Sequence, residues 1–190
     1  MNTRTASAVL TNTVAVAVAA LALTGCSGDT QELSFGDKAE KDNLEVSVVR
    51  VDAGTSGDLS VLEDAAKYQG RTPYYVHYRV TKTEAGEVDG PSFDVTADGD
   101  LLTRLNIMSA FPKPVVGEDG QLSYEEAPKF DKCLDEHDSG KFEKAAAGES
   151  YEACAVYLSE SGSGAEPEKV EWVKGGLLRS SDDEAYAVWK

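Results

Sequence analysis

Short stretches in which apolar and polar residues alternate recur along most of the chain, and this period of two predicts β-strands. Leu44-Glu45-Val46-Ser47-Val48 alternates and then changes phase, so that Val49 and Val51 continue the apolar series, which predicts a first strand with a bulge. Gly54 to Gly57 reads as loop. Ser60-Val61-Leu62-Glu63 has capping-box spacing and Gly70 stands where a C-terminal cap belongs, so one short helix is predicted over 61–68, inserted on a β scaffold. Tyr74 to Thr81 is the clearest strand, with Val76, Tyr78 and Val80 on a core face and His77, Arg79 and Thr81 on the other. Phe93, Val95 and Ala97 alternate again, Asp98-Gly99 is a hairpin signal, and Leu101 to Ile107 is the predicted returning strand.

Regularity fades from Met108 to Ala147. Phe111-Pro112, Pro114 and Pro128 punctuate this stretch, Glu118-Asp119-Gly120 marks a turn, and one short strand is predicted near Gln121 to Glu125. A connection of that length in a single domain usually carries function, so 108–144 is where a binding surface is expected. Tyr151 to Ser159 is a strand in which Cys154, Val156 and Leu158 share one face, read as the core face, and Ala153, Ala155 and Tyr157 the other. After the Ser161-Gly162-Ser163-Gly164 turn come a strand with Val170 and Trp172 and a last one from Ala185 to Trp189. Both tryptophans are expected to fill core rather than bind ligand. Asp182-Asp183-Glu184 reads as a turn.

The first residues follow a different pattern. Met1 to Thr13 carries Arg4 and no acid, and Val14 to Leu23 is ten uninterrupted apolar residues, the build of a secretory signal. A transmembrane helix needs about 20 apolar residues, and Thr11, Asn12 and Thr13 end the run. Leu23-Thr24-Gly25-Cys26 closes it and resembles the lipobox of bacterial lipoproteins. The resemblance implies that residues 1–25 are a signal peptide, that Cys26 takes a diacylglyceryl group (palmitate being a typical acyl chain) and becomes the first mature residue. Two acyl chains hold a protein stably at a bilayer, at about 0.8 kcal/mol per buried methylene. The expected location is therefore the extracytoplasmic face of the cell membrane, reached through a lipid anchor. An ordinary secreted protein with a cysteine at this place is the alternative.

Composition then sharpens the picture. The 190 residues carry a formal charge of −16; without the 25 leader residues, 165 remain with −17. Such a surface repels phosphate backbones, so no nucleic acid partner is expected. Residues 26–41 are polar, with Leu33 and Phe35 as the only large apolar side chains, and read as a flexible tether spanning roughly 20 Å. The domain is then 42–190. With Cys26 assigned to lipid, Cys133 and Cys154 are left as a pair, and outside the cytoplasm a disulfide is the default, worth roughly 3 kcal/mol. Free thiols or a shared metal are the alternatives.

Seven or so short strands, one cysteine pair and late tryptophans fit an all-β, immunoglobulin-like antiparallel β-sandwich with one short inserted helix. Tyr75 to Thr81, Phe93 to Gly99 and Ala147 to Ser150 further resemble an immunoglobulin-like domain of unknown function found in Gram-positive, especially actinobacterial, lipoproteins. The chain departs from that group at Lys82-Thr83-Glu84-Ala85-Gly86 and in the length of the 108–144 connection. The resemblance covers roughly residues 42–173 and implies a binding or interaction module.

Catalytic chemistry is sparse. There is no G-x-S-x-G, no serine has a lysine three positions on, and His77 and His137 are the only imidazoles. No catalytic residue, enzyme activity or cofactor is expected. The one dense polar cluster is Asp131, Asp135, Glu136, His137 and Asp138 beside Cys133, either a solvated acidic loop or a weak cation site, since calcium wants several oxygens in one loop. The function expected is a lipid-anchored binding module of the cell envelope that touches a protein or a small molecule. A cation-binding lipoprotein is the alternative.

Overall fold

Where the alternation is longest, the strands are longest. In the computed structural model, residues 30–62, 64–107, 113–117, 119–125, 129–135, 141–142, 144–175 and 184–190 are described. They contain β1 (Gln31–Leu33), β2 (Ala39–Lys41), β3 (Leu44–Ala53), β4 (Pro73–Lys82), β5 (Ser92–Ala97), β6 (Asp100–Leu101), β7 (Thr103–Leu105), β8 (Lys113–Val116), β9 (Leu122–Glu125), β10 (Ser150–Leu158), β11 (Pro167–Val173) and β12 (Ala187–Trp189).

Two five-stranded sheets form a sandwich, in the orders β2-β3-β4-β10-β7 and β1-β12-β11-β5-β6, and β8 and β9 make a separate two-stranded hairpin. Leaving out the short flanking strands, β3-β4-β10-β7 against β12-β11-β5 is the four-plus-three order of a constant-type immunoglobulin domain. Pairing is antiparallel except between β1 and β12, which run parallel.

Side chains of both sheets interlock in the core. Val46 and Val48 come from β3, Tyr74, Val76, Tyr78 and Val80 from β4, Ala153, Ala155 and Tyr157 from β10, Phe93 and Val95 from β5, and Trp172 and Trp189 from β11 and β12. Both tryptophans are thus core, as their alternation implies. Tyr78 meets Phe93 edge-on across the sandwich at 4.8 Å between ring centroids, and the Tyr157 hydroxyl donates to the Phe93 carbonyl oxygen at 2.8 Å. The register between β3 and β4 shifts between Val48 and Arg50, which makes Val49 the bulged residue. Val49 is exposed while Val51 returns to the core, the change of phase visible in the sequence.

Five expectations need correction. Residues 30–41 do not form a tether: β1 pairs with β12, β2 pairs with β3, and Leu33 packs on the core. Three-residue strands are too short to show a period, so the polar composition hid them. The helix expected over 61–68 is replaced by two 3-10 turns, Ser56–Val61 and Ala65–Tyr68. The first is closed by Asp58, whose carboxylate accepts from the Thr55 amide at 3.0 Å and hydroxyl at 3.2 Å; Glu63, of the expected capping box, lies outside the described residues. Gly70 does adopt a left-handed conformation, φ +74°.

The strand expected from Leu101 to Ile107 divides. Asp98 and Gly99 both have positive φ and make the tight turn, but only Asp100 and Leu101 return along β5, and Thr103 to Leu105 cross to the other sheet beside β10. The single short strand near 121–125 has a partner, β8. Finally, Cys154 faces away from the core, opposite His77 on the outer face of its sheet, because Ala153, Ala155 and Tyr157 take the inner positions. Small alanines flanking a tyrosine fill the core here, whereas Val156 and Leu158 are buried on the outer side.

Burial sets the alkaline limit of the fold. It pushes the Tyr78 phenol up to about 12 and raises Tyr75, Tyr151 and Tyr157 as well, desolvation being the largest cause in each. An unfolded tyrosine loses its proton near pH 10, roughly, so above that pH the unfolded chain sheds protons that the folded one keeps. Stability is therefore full below about pH 10 and declines toward about 12. In a stopped-flow jump into this window, most phenolate absorbance should appear at the rate of unfolding; complete ionisation in the dead time would contradict the burial.

Candidate functional site

Residues 129–135 of the long connection lie on the outer face of the β2-β3-β4-β10-β7 sheet. Across the β3, β4 and β10 ladder that face carries rows of side chains: Asp52, Tyr75 and Val156, then Arg50, His77 and Cys154, then Arg79 and Glu152, then Thr81 and Ser150. Cys133 is joined to Cys154 by a disulfide, with 5.3 Å between Cα atoms. Asp135 Oδ1 accepts the Cys154 amide hydrogen at 2.8 Å, closing the strand edge where β7 ends. Phe130 tilts against the Tyr75 ring at 6.2 Å. Residues 129–135 are thus a strap over the sheet.

The strap meets the 3-10 turns at Tyr75. Its hydroxyl donates to Asp58 Oδ2 at 2.9 Å, and the Asp58 carboxyl is held below the usual range, first by the Thr55 amide. A Cβ on Gly54 would lie 2.6 Å from both the Tyr75 hydroxyl and Asp58 Oδ2, so only glycine permits this contact. Beside the disulfide, a hollow of about 220 Å³ is lined by Arg104, Asn106, Cys133, Asp135 and Cys154.

The polar rows are internally satisfied. Asp52 Oδ2 takes Arg50 Nε at 2.8 Å and lies 3.2 Å from His77 Nε2. Burial lowers the His77 pKa, and Arg50 adds to it, against the opposing pull of Asp52 and Glu152. Arg79 pairs with Glu152 at 2.5 Å, and the Thr81 and Ser150 hydroxyls are 2.7 Å apart. No serine, threonine or cysteine nucleophile is bonded to His77 among the described residues; its partner is a carboxylate already shared with arginine.

Of the acidic cluster, Asp131 and Asp135 are described, and Glu136, His137 and Asp138 lie outside the described residues. Asp135 has a structural task at the Cys154 amide. Among the described residues no three histidine, cysteine, aspartate or glutamate side chains come together as metal ligands. Cys26 and the leader also lie outside the described residues.

No known family model matches the chain, and no curated protein matches it either. Among solved structures, an uncharacterized β-sandwich protein from Clostridium difficile 630 is similar, with 10% identity, a TM-score of 0.43, and coverage of 86% of this chain and 95% of that one.

Three features were not visible in the sequence. Lys82, at the end of β4, is 1% exposed with its ammonium 6.0 Å from the Phe142 ring; Phe142 itself reaches the core from within the long connection. The β8–β9 hairpin has a two-faced surface. Pro114 pairs with Tyr124 and Val116 with Leu122, so these four share one face, while Lys113, Glu125, Val115 and Ser123 share the other. On the apolar face Val116, Leu122 and Tyr124 are 70%, 60% and 66% exposed. At one end of the sandwich, a cleft of about 360 Å³ opens between the β2–β3 turn, the β4–β5 loop and the start of the β11–β12 connection. Its walls include Trp172, Tyr186, Asp42, Glu87 and Asp89. No sequence signal joins these residues, which are brought together only by the sheet order.

Two substitutions test how the strap is held. Replacing Cys133 and Cys154 together by serine should cost about 3 kcal/mol, read as a lower urea midpoint with a somewhat steeper slope, because the unfolded chain without the cross-link is more expanded. Gly54→Ala should cost about 1–3 kcal/mol through overpacking against Tyr75, and a Gly54→Ala variant as stable as the parent would contradict the close approach.

Proposed function

We propose that this chain is a non-catalytic, lipid-anchored binding module of the cell envelope, of the kind seen in Gram-positive lipoproteins, whose long connection contacts a partner protein. One observation carries the reading: a hairpin that belongs to neither sheet and presents Pro114, Val116, Leu122 and Tyr124 on one exposed face. A lone two-stranded hairpin is marginal in water, and an apolar row gains most when something covers it. The acidic surface elsewhere keeps such a patch from causing general association.

The lipid half of the reading rests on the run Val14 to Leu23 and on Leu23-Thr24-Gly25-Cys26. Anchoring at Cys26 places the domain outside the cytoplasm, where the Cys133–Cys154 disulfide persists. The non-catalytic half rests on the sequence, which has no G-x-S-x-G and no serine with a lysine three positions on.

The two halves have separate tests. Cys26→Ser should release the protein to the medium or leave it unprocessed; membrane retention with unchanged processing would refute the anchor. A photoreactive residue at Ser123 should give a discrete crosslinked product in intact cells. The product should vanish when Val116, Leu122 and Tyr124 are changed to serine, with stability shifted by no more than about 0.5 kcal/mol per site, as for exposed positions. A product unaffected by these changes would refute the hairpin as the contact.

A further inference from the structure

We draw no further inference here: the strongest candidate, the outer edge of β9 in the β8–β9 hairpin, belongs to the surface already described, and nothing among the described residues shows what covers it.

Discussion

β4 is paired along its whole length, to β3 on one side and to β10 on the other, so every one of its residues is committed to a face. Tyr74, Val76, Tyr78 and Val80 must then point into the sandwich, and Tyr75, His77, Arg79 and Thr81 out of it. A slip of one residue would exchange the two sets and place arginine in the core. The bulge at Val49 absorbs the one place where β3 and β4 differ in length, and it does so at an exposed residue. From this ladder follow both the core and the platform on which the strap lies.

The core contains polar atoms, and each has a partner. Tyr157 donates to the Phe93 carbonyl, Tyr74 to that of Ala165, and Trp189 to that of Asp37. These bonds link β10 to β5, β4 to the β10–β11 connection, and β12 to the segment between β1 and β2. No buried side-chain nitrogen or oxygen among the described residues lacks a hydrogen bond. The aromatic residues therefore do two jobs, filling volume and fixing how the sheets and their connections meet, because an unmade bond in the interior costs about 1–3 kcal/mol. That cost favours one alignment of the sheets over sliding alternatives.

What the sequence disclosed and what it hid divide along physical lines. β3, β4, β5, β10 and β11 are long enough for several alternations, and their positions were readable within a few residues. β1 and β2 are three residues each, and their stability comes from pairing with β12 and β3, partners far away or not yet identified when the chain is read in order. Cys154 misled for a related reason. In β10 both faces are largely buried, the inner by the core and the outer beside the strap and the turns, so apolar character no longer distinguishes them; Val156 and Leu158 looked like core because they are large, and Ala153 and Ala155 looked peripheral because they are small. The cleft was the least legible feature. Asp42, Glu87, Trp172 and Tyr186 are spread over most of the chain and adjoin only because β4, β5 and β11 end on the same side.

The correction to residues 30–41 bears on where the cleft lies. Thr30 Oγ1 donates to the Ala185 carbonyl at 2.8 Å and the Gln31 amide to that of Tyr186, so the chain enters the fold beside the cleft. On the lipid-anchored reading, Cys26 precedes Thr30 by only four residues, which span at most about 14 Å when extended. The cleft end of the sandwich then lies close to the bilayer, not some 20 Å above it as a longer coil would allow.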